Sequence, residues 1–496
     1  MNVEIELKLR VPPSSAARLS RHPLLKSSKS PVRLYSVYFD TPGLDLKSKA
    51  IALRLRKEGN RWVQTVKGGG GVLAGVHTRN EWEAPVVRNT PDFTKLDDPF
   101  LVGIFGNEDL RRNLEPIFFT EFRRKIVPVE FGGGLIEYCF DKGRIVSGES
   151  EESISEIELE LKSGNPSALF AFALELQKTA PLLVEGTSKA ERGYSLYLGG
   201  AINRVKKASV VGLDRKMDTG QACREILKGC LEQLQGNVKG FLDREEDPEY
   251  LHQMRVGLRR MRSAFSLFSR HFGREAFSEI VSELRWLGRE LGPARNWDVF
   301  ILETLSPIEG AFSAQCDFEN LRKAAELVRR QYNEQGILAV SSHRFQILLL
   351  KLGAALCNPS WPEGEKLPVI DFAEKILDRR YKRFVRDGAN IAGLVPAELH
   401  VLRISGKKLR YAAEFFSPLY SQHACRDFLR AMAGIQDVLG AINDAATTNH
   451  LLDELPGVDQ GGRCLVKGWM GCEAGHRLSQ AGREWKAFRA MIPFWK

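Results

Sequence analysis

The chain is poor in the groupings that announce soft-metal centres or membranes. Its eight cysteines are scattered over 496 residues. None stands at the spacing of a Cys-x-x-Cys, and no His-Glu-x-x-His occurs, so a zinc centre is not expected. The same scatter points to free thiols and a reducing compartment. No apolar run approaches the roughly 20 residues that span a bilayer. The first residues enter an alternating run rather than a secretory leader, so a cytoplasmic protein is expected. The glycine-rich Lys67-Gly68-Gly69-Gly70-Gly71 lacks the Gly-Lys-Ser/Thr ending of a nucleotide phosphate loop and reads as a flexible hairpin connection. A groove-reading helix motif and an aromatic base-stacking platform are also missing. That absence matters because 72 Lys+Arg stand against 62 Asp+Glu, a net charge of +10. Such an excess calls for an anionic partner, and clustered cations without base-stacking aromatics fit a phosphate polymer better than nucleic acid. The length predicts two domains, each with enough apolar residues for a core.

What is present is charge in alternation. From Val3 to Arg10 charged and apolar residues take turns. Glu4, Glu6, Lys8 and Arg10 therefore share one face of a strand, and Val3, Ile5, Leu7 and Leu9 the other. The pattern returns at Arg54 and Arg56, then in a hairpin partner from Arg61 to Lys67, then at His77, Arg79, Glu81 and Glu83. Arg124 runs in phase with Phe122 and Ile126, Glu137 with Asp141, and Glu156 with Glu158 and Glu160. Any one such strand reads as the solvated face of a sandwich. A row of like charges on one strand is unfavourable without cations opposite. About seven strands carrying both signs can gather them around the lumen of a closed barrel. The apolar faces then need outer cover, which helices near residues 14–25 and 166–180 would supply.

Glu4-Ile5-Glu6-Leu7-Lys8 resembles the ExExK signature of the CYTH superfamily, the triphosphate tunnel metalloenzymes. The likeness continues through Tyr38-Phe39-Asp40-Thr41-Pro42, Leu53-Arg54-Leu55-Arg56, Thr65-Val66-Lys67 and Arg79-Asn80-Glu81-Trp82-Glu83. Arg124, Asp141, Glu156-Ile157-Glu158-Leu159-Glu160 and Ser188-Lys189-Ala190-Glu191-Arg192-Gly193-Tyr194 follow in the family's order. The resemblance implies an eight-stranded antiparallel tunnel. It implies that Lys8, Arg54, Arg56, Lys67, Arg124 and Lys189 grip the phosphate chain in catalysis, with Arg79 and Arg192 as further substrate contacts. Arginine suits that work because its guanidinium meets phosphate oxygens bidentately. It implies that Glu4, Glu6, Asp141, Glu158 and Glu160 hold Mg²⁺ or Mn²⁺, hard ions that prefer carboxylate oxygen and water. Glu81, Glu83 and Glu156 either ligate as well or neutralise arginines. The implied reaction is metal-assisted phosphoryl transfer to water, oriented by a carboxylate of the strand carrying Glu158 and Glu160.

After Tyr194 the alternation ends, and from about Thr219 apolar residues fall three and four apart, as in helices. His252-Gln253-Met254-Arg255-Val256, followed by Arg259, Arg260 and Arg262, recurs 148 residues later. The second copy is His400-Val401-Leu402-Arg403-Ile404, followed by Lys407, Lys408 and Arg410; Leu291-Gly292 and Leu439-Gly440 share the offset. Two copies make a duplicated bundle rather than a solenoid. His252, Arg255, Arg259 and Arg262 lie on one helix face, as do His400, Arg403, Lys407 and Arg410. Like charges so spaced repel unless an anion neutralises them.

These motifs resemble the CHAD domain over about residues 216–496. The resemblance implies two four-helix bundles around a basic channel for inorganic polyphosphate, lined by the stripe residues together with Arg260 and Lys408. Asp444 keeps the acid that follows the second Leu-Gly motif, whereas Asn296 stands at the matching place in the first copy, with Asp298 two residues on. Histidines buried among cations should titrate below their usual value, so His252 and His400 are expected neutral.

The reading is thus an α+β chain: a tunnel domain over 1–200, a linker over 201–217, and an all-α domain over 218–496 with halves 218–357 and 369–496. The expected function is a metal-dependent inorganic triphosphatase whose partners are triphosphate and polyphosphate, with no specific nucleic acid and no membrane. Thiamine triphosphate, nucleoside triphosphates or cyclisation of ATP remain as alternatives, though only Trp62 and Trp82 suggest a ring pocket. A non-catalytic polyphosphate-binding scaffold is the alternative from another class.

Overall fold

The computed structural model describes residues 2–26, 30–200, 204–243, 247–455 and 460–496. Of the expected linker, residues 201–203 lie outside the described residues. The alternating segments form β1 (Asn2–Arg10), β2 (Val32–Asp40), β3 (Ile51–Glu58), β4 (Arg61–Leu73) and β5 (Val76–Val86). Then come β6 (Glu115–Phe131), β7 (Gly134–Ser147), β8 (Ser150–Ser163) and the short β9 (Leu183–Val184). The helices used below are α1 (Ser167–Thr179), α2 (Lys189–Tyr197), α3 (Thr219–Gln235), α4 (Glu249–Phe268), α5 (His343–Cys357), α6 (Val369–Asp387) and α7 (Pro396–Phe416).

Strands run β5-β4-β3-β2-β6-β7-β8-β1, and β1 pairs again with β5, closing an eight-stranded antiparallel barrel. β9 lies beside β1. Closure leaves no sheet edge and turns one face of every strand inward. Leu7, Leu9, Ile157 and Leu159 are fully buried on the other face. α1 packs across β1, β6, β7 and β8 and buries Leu169, Phe170, Phe172 and Leu176. Each such side chain contributes about 1.5–3 kcal/mol of burial. A second outer cluster sets Leu53, Leu55 and Val66 against Leu101, Phe105 and Leu110.

Two glycines are fixed by close approach. Gly68–Gly71, read above as a loop, instead lie inside β4, and the register with β5 shifts between Gly68 and Gly71. Gly70 has φ +81°, and a Cβ there would stand 1.6 Å from the carbonyl oxygen of Thr78. The glycines therefore serve a bulge that only glycine can form. In α2, a Cβ on Gly193 would meet the Phe118 ring at 2.1 Å, which lets α2 settle against β6, β7 and β8.

Contacts divide the chain into two compact units: residues 1–204 with 341–358, and residues 205–340 with 359–496. α5, assigned above to the first helical half, packs instead with the barrel, against α1 and β9. Its Gln346 side chain accepts a bond from the Val184 backbone N–H at 2.9 Å. A Cβ on Gly353 would stand 2.1 Å from the Phe170 ring, so this helix seals the apolar face of α1. The other unit is all-helical among its described residues. There α3 and α6 begin reciprocally: Thr219 N–H donates to the Leu367 carbonyl and Val369 N–H to the Met217 carbonyl, both at 2.9 Å. No described helix is long and apolar enough to cross a membrane.

Candidate functional site

The barrel encloses a cavity of about 420 Å³. Strand register decides which side chains meet in it. β1 sets Glu4 opposite Arg79 and Glu6 opposite His77 on one side, and Glu6 opposite Glu160 and Lys8 opposite Glu158 on the other. Arg124 stands opposite Asp141, and Asp141 opposite Glu156. Ser188, Lys189 and Ala190 add the start of α2 to the wall. Ser188 accepts a bond from Glu191 N–H at 3.2 Å, and the Glu191 carboxylate accepts from Ser188 N–H at 2.7 Å. This capping box brings the positive end of the helix to the lumen.

Glu4, Glu6, Lys8, Arg54, Arg56, Lys67, Arg79, Arg124, Glu158, Glu160 and Lys189 all line the cavity. Two expected residues do not. Asp141 is fully buried and engages Arg124 through both oxygens, at 2.7 and 2.6 Å, and Lys189 at 2.7 Å. Arg192 bonds Glu152 and Glu156 at 2.7 Å and the Ser153 carbonyl at 2.6 Å, which leaves its guanidinium committed. Cys139, passed over in the sequence, also lines the lumen. Its place two residues from both Glu137 and Asp141 was the signal, and burial pushes its thiol up to about 12.

The lumen cations are largely compensated. Lys8 contacts Glu6 at 2.8 Å and also Glu158; Lys67 contacts Glu81 at 3.0 Å and also Glu4. Arg54 lies 3.7 Å from Glu81 and 3.8 Å from Glu83, and Arg79 3.2 Å from Glu191. Arg124 reaches Glu158 as well as Asp141. Arg56 differs: its Nε donates to Ser36 Oγ at 3.4 Å, and no carboxylate pairs with it among the described residues. Burial, with Arg54 and Arg124 nearby, brings Arg56 down to about 10.

The carboxylates divide into two groups. Asp141, Glu156 and Glu158 place one oxygen each within 4.8 Å of one another, a metal-like spacing. Lys189 Nζ already sits among them, 2.7 Å from Asp141, 2.9 Å from Glu158 and bonded to Glu156. Burial would raise the Glu158 carboxyl, but Lys189, Lys8 and Arg124 hold it well below the usual carboxylate range. Around Glu4 the balance is opposite: burial, Glu6 and Glu81 raise it, and Lys67 offsets them only in part. Burial also works against the charge on Glu6, yet Lys8 holds it at about 2. Glu4, Glu6 and Glu81 line the cavity and offer the hard carboxylate oxygens that a divalent cation keeping some of its waters takes, in exchange for their contacts with Lys67, Lys8 and Arg54.

In the helical unit, Arg255, Arg259 and Arg403 each carry a buried Nε with no hydrogen-bond partner among the described residues. Burial, Arg259 and Arg295 bring Arg255 down to about 10. Burial, Arg403 and Arg259 bring Lys407 down to about 8. Arg259 therefore links the stripes of α4 and α7 on one face. Arg295 was missed in the sequence although it lies three residues beyond Leu291-Gly292; it pairs with Glu303 at 2.8 Å. His252 is half-buried, and burial and Arg295 lower it, as expected.

Several stripe residues turn elsewhere. His400 is exposed rather than buried, because it sits in the first turns of α7. Arg260 lies over the Phe415 ring at 5.2 Å and 3.9 Å from Glu414. Arg410 bonds Glu414 at 2.7 Å and Gln436 at 3.2 Å, and Arg262 faces Arg285. Lys408 faces Arg380 and Arg383. Consecutive residues turn about 100° around a helix, so Arg260 and Lys408 leave the face that Arg259 and Lys407 hold. Asp444 faces Arg403 and Lys407, whereas Asp298 pairs with Arg329 at 2.7 Å, so these two acids serve different partners.

Residues 2–194 match the CYTH domain and residues 225–453 the CHAD domain. The inorganic triphosphatase of Haemophilus influenzae is 37% identical over 197 residues, 39% of this chain and 54% of that protein. The chain thus spans about half the length of that relative. An uncharacterized protein of Mycobacterium tuberculosis is 25% identical over 429 residues, covering 79% of this chain and 77% of its own. The solved CHAD domain of the plant Ricinus communis superimposes with a TM-score of 0.52 at 29% identity, covering 58% of this chain and 98% of that one.

Proposed function

The chain carries a CYTH domain followed by a CHAD domain, and from that premise we propose that the barrel is a divalent-metal-dependent inorganic triphosphatase and the helical unit a polyphosphate-binding module. The observation that carries the reading is the cavity wall: it combines arginines, lysines and carboxylates, and Tyr38 is the only ring among its lining residues. A bare phosphate chain needs charge and no stacking surface, whereas a base or thiamine needs both. Trp62 and Trp82 lie outside the lumen. Trp62 packs on the outer cluster, and Trp82 stacks near Phe100 while donating to Asp98 at 2.9 Å. The likeness to an inorganic triphosphatase supports the same substrate.

Glu4 and Glu6, with Glu81 beside them, would hold Mg²⁺ or Mn²⁺, which when bound supplies charge neutralisation at the phosphate oxygens. The chain's own residues do the rest. Arg56, uncompensated, offers the first fixed charge to the entering anion. Arg54, Lys67, Arg79 and Lys8 exchange carboxylate contacts for phosphate oxygens as the chain settles. Arg124 and Lys189 are held from behind by Asp141 and so present fixed donors to charge developing in the transition state. Asp141 is accordingly an anchor rather than an ion ligand. Glu158, clamped by three cations, is a poor proton acceptor. The carboxylate of β8 that orients water is then Glu160, which lines the cavity and pairs with Lys162 at 2.6 Å. In the helical unit, the unpartnered Nε–H groups of Arg255, Arg259 and Arg403 suit the oxygens of a longer phosphate chain. No disulfide joins the eight cysteines, in keeping with a reducing cytoplasm.

The test is phosphate release by the full chain from triphosphate, ATP and thiamine triphosphate, each with Mg²⁺, Mn²⁺ or chelator. Chelator-sensitive turnover of triphosphate ahead of the other two is expected. Folded protein that binds polyphosphate yet turns over none of them would replace this reading with the scaffold.

A further inference from the structure

We propose that the helical unit has a second, separate phosphate-binding site centred on Arg380 of α6 and completed by Arg270, Arg379, Arg383 and Lys408. The proposal rests on the reading of this unit as a polyphosphate module and adds a place where a long chain is gripped a second time. The five cations come from three segments: Arg270 follows α4, Arg379, Arg380 and Arg383 lie on α6, and Lys408 is on α7. Arg379 and Arg383 also wall an open groove along α6, together with Lys375, Asp378, Lys382 and Arg386, and Arg380 lies on the neighbouring face of the same helix. Arg380 is half-buried, and one of its Nη groups donates to the Lys408 carbonyl.

Charge in this place is not compensated. Among the described residues no carboxylate pairs with Arg270, Arg379, Arg380 or Lys408. Asp378, the acid in the groove wall, is engaged by Trp495 Nε1 at 3.1 Å and Lys382 at 3.4 Å, and Asp387 at the end of α6 by Arg383 at 3.5 Å and Arg386 at 3.1 Å. Burial, Arg379 and Arg270 bring Arg380 down to about 9, a value that an arriving anion would reverse.

The repeat itself shows that packing does not demand an arginine here. α3 and α6 start at the reciprocally bonded Thr219 and Val369, and the position Arg380 holds in α6 is held in α3 by Cys230, a fully buried thiol. One copy folds around a small apolar side chain where the other carries a cation among cations. The ligand assigned is a phosphate chain: no aromatic side chain lines the groove to stack the bases of a single strand, and duplex DNA, held by its phosphates, is the control in the test below. The same wall lacks an apolar anchor for a membrane surface.

The experiment measures binding of long-chain inorganic polyphosphate, and of duplex DNA as a control, to the full chain over a range of salt. It uses Arg379→Gln/Arg383→Gln, both at exposed positions, Arg380→Met, and Arg259→Ala/Lys407→Ala at the central face. The α6 double variant should weaken polyphosphate binding about three- to tenfold and lower the salt slope by about 1 to 1.5, with triphosphate turnover unchanged. Arg380→Met should act in the same direction without lowering the melting temperature; should it fail to fold, the exposed pair still decides. Unchanged affinity and slope in the α6 double variant, alongside lost binding in the central one, would overturn this site and leave the polyphosphate module standing. An equal loss of DNA and polyphosphate binding would overturn the ligand assignment. A wild-type chain that binds no polyphosphate would remove the module and this site together.

Discussion

The barrel and the helical unit both concentrate positive charge, and they differ in what stands beside it. In the lumen nearly every cation touches a carboxylate of the chain, as Lys8 does with Glu6 and Glu158. On the face shared by α4 and α7, the Nε groups of Arg255, Arg259 and Arg403 are buried without hydrogen-bond partners among the described residues. The first arrangement is stable when empty and suits a ligand that brings charges of both signs, such as a metal–phosphate complex. The second carries standing repulsion and suits a ligand that is anionic throughout. Compensation makes a site that exchanges partners during turnover. Its absence makes a site that waits for a counterion.

Removing an anion should therefore hurt the barrel far more than removing a cation hurts the helical unit. Glu158→Ala takes a buried carboxylate from Lys8, Lys189 and Arg124 at once, leaving Lys8 with Glu6, Lys189 with Asp141 and Glu156, and Arg124 with Asp141. A buried charge left wholly unpaired typically costs about 3–5 kcal/mol, and three under-compensated cations sharing one lost anion should bring a clear loss of stability on thermal unfolding, accompanied by loss of triphosphate turnover. Arg259→Ala relieves repulsion and should leave the melting temperature unchanged or higher. Similar destabilisation by both substitutions would break the comparison.

The next largest effect separates chemistry from stability. Burial, Glu6 and Glu81 push the Glu4 carboxyl above the usual carboxylate range, with Lys67 opposing them in part. Glu4→Gln removes an ion ligand without stranding more than Lys67, so turnover should fall about 10²–10³-fold, the range for losing one preorganised electrostatic contact. Polyphosphate binding by the helical unit should not change. If excess Mg²⁺ restored nothing and the fold were lost as well, Glu4 would be a structural counterion instead.

Much of this contrast was legible in the sequence, and what was not has physical causes. Period-two charge placed Glu4, Glu6, Lys8, Arg54, Arg56 and Glu158 on a common inner face, and strand register delivers them there. Asp141 and Arg192 had the right phase or motif, but the pairs they join are made across strands and helices, which spacing along one strand does not encode. The Gly68–Gly71 run looked like a loop because a bulge and a loop ask for the same residue. On α4 and α7 the i, i+3, i+7 rule found the shared face, while Arg260 and Lys408, carried over by family likeness, sit about 100° away. α5 followed the helical periodicity of its neighbours, yet its apolar face finds α1 of the barrel.

Breaking the central basic face should produce a middling, purely binding effect. Each charge-assisted contact to phosphate is worth about 1.5–3 kcal/mol, so Arg259→Ala/Lys407→Ala should weaken long-chain polyphosphate binding by at least about tenfold. The kcat/KM for triphosphate should stay where it was, because the lumen's cations and acids are untouched. A parallel fall in turnover would mean that the two sites are not independent.

The smallest effect is a pH dependence that only one region should show. In the free protein burial, Arg403 and Arg259 hold Lys407 near 8. A bound phosphate favours the ammonium, so its pKa rises on binding. At pH 7 the ammonium is already charged before the ligand arrives, and binding takes up almost no proton. As pH climbs through 8, the free protein loses that proton while the complex keeps it. Affinity must then fall with rising pH, by at most about tenfold per pH unit for one proton. Lys407→Arg, charged throughout this range, should flatten the profile. In the lumen burial opposes the charges on Lys8 and Lys189, but Glu158 and Glu6 around the first and Asp141 and Glu156 around the second raise both above the ordinary lysine value. The KM for triphosphate should therefore show no inflection from these lysines near pH 8. Titration calorimetry in buffers of different ionisation enthalpy would count the proton directly, and an unchanged count in Lys407→Arg would assign the dependence to another group.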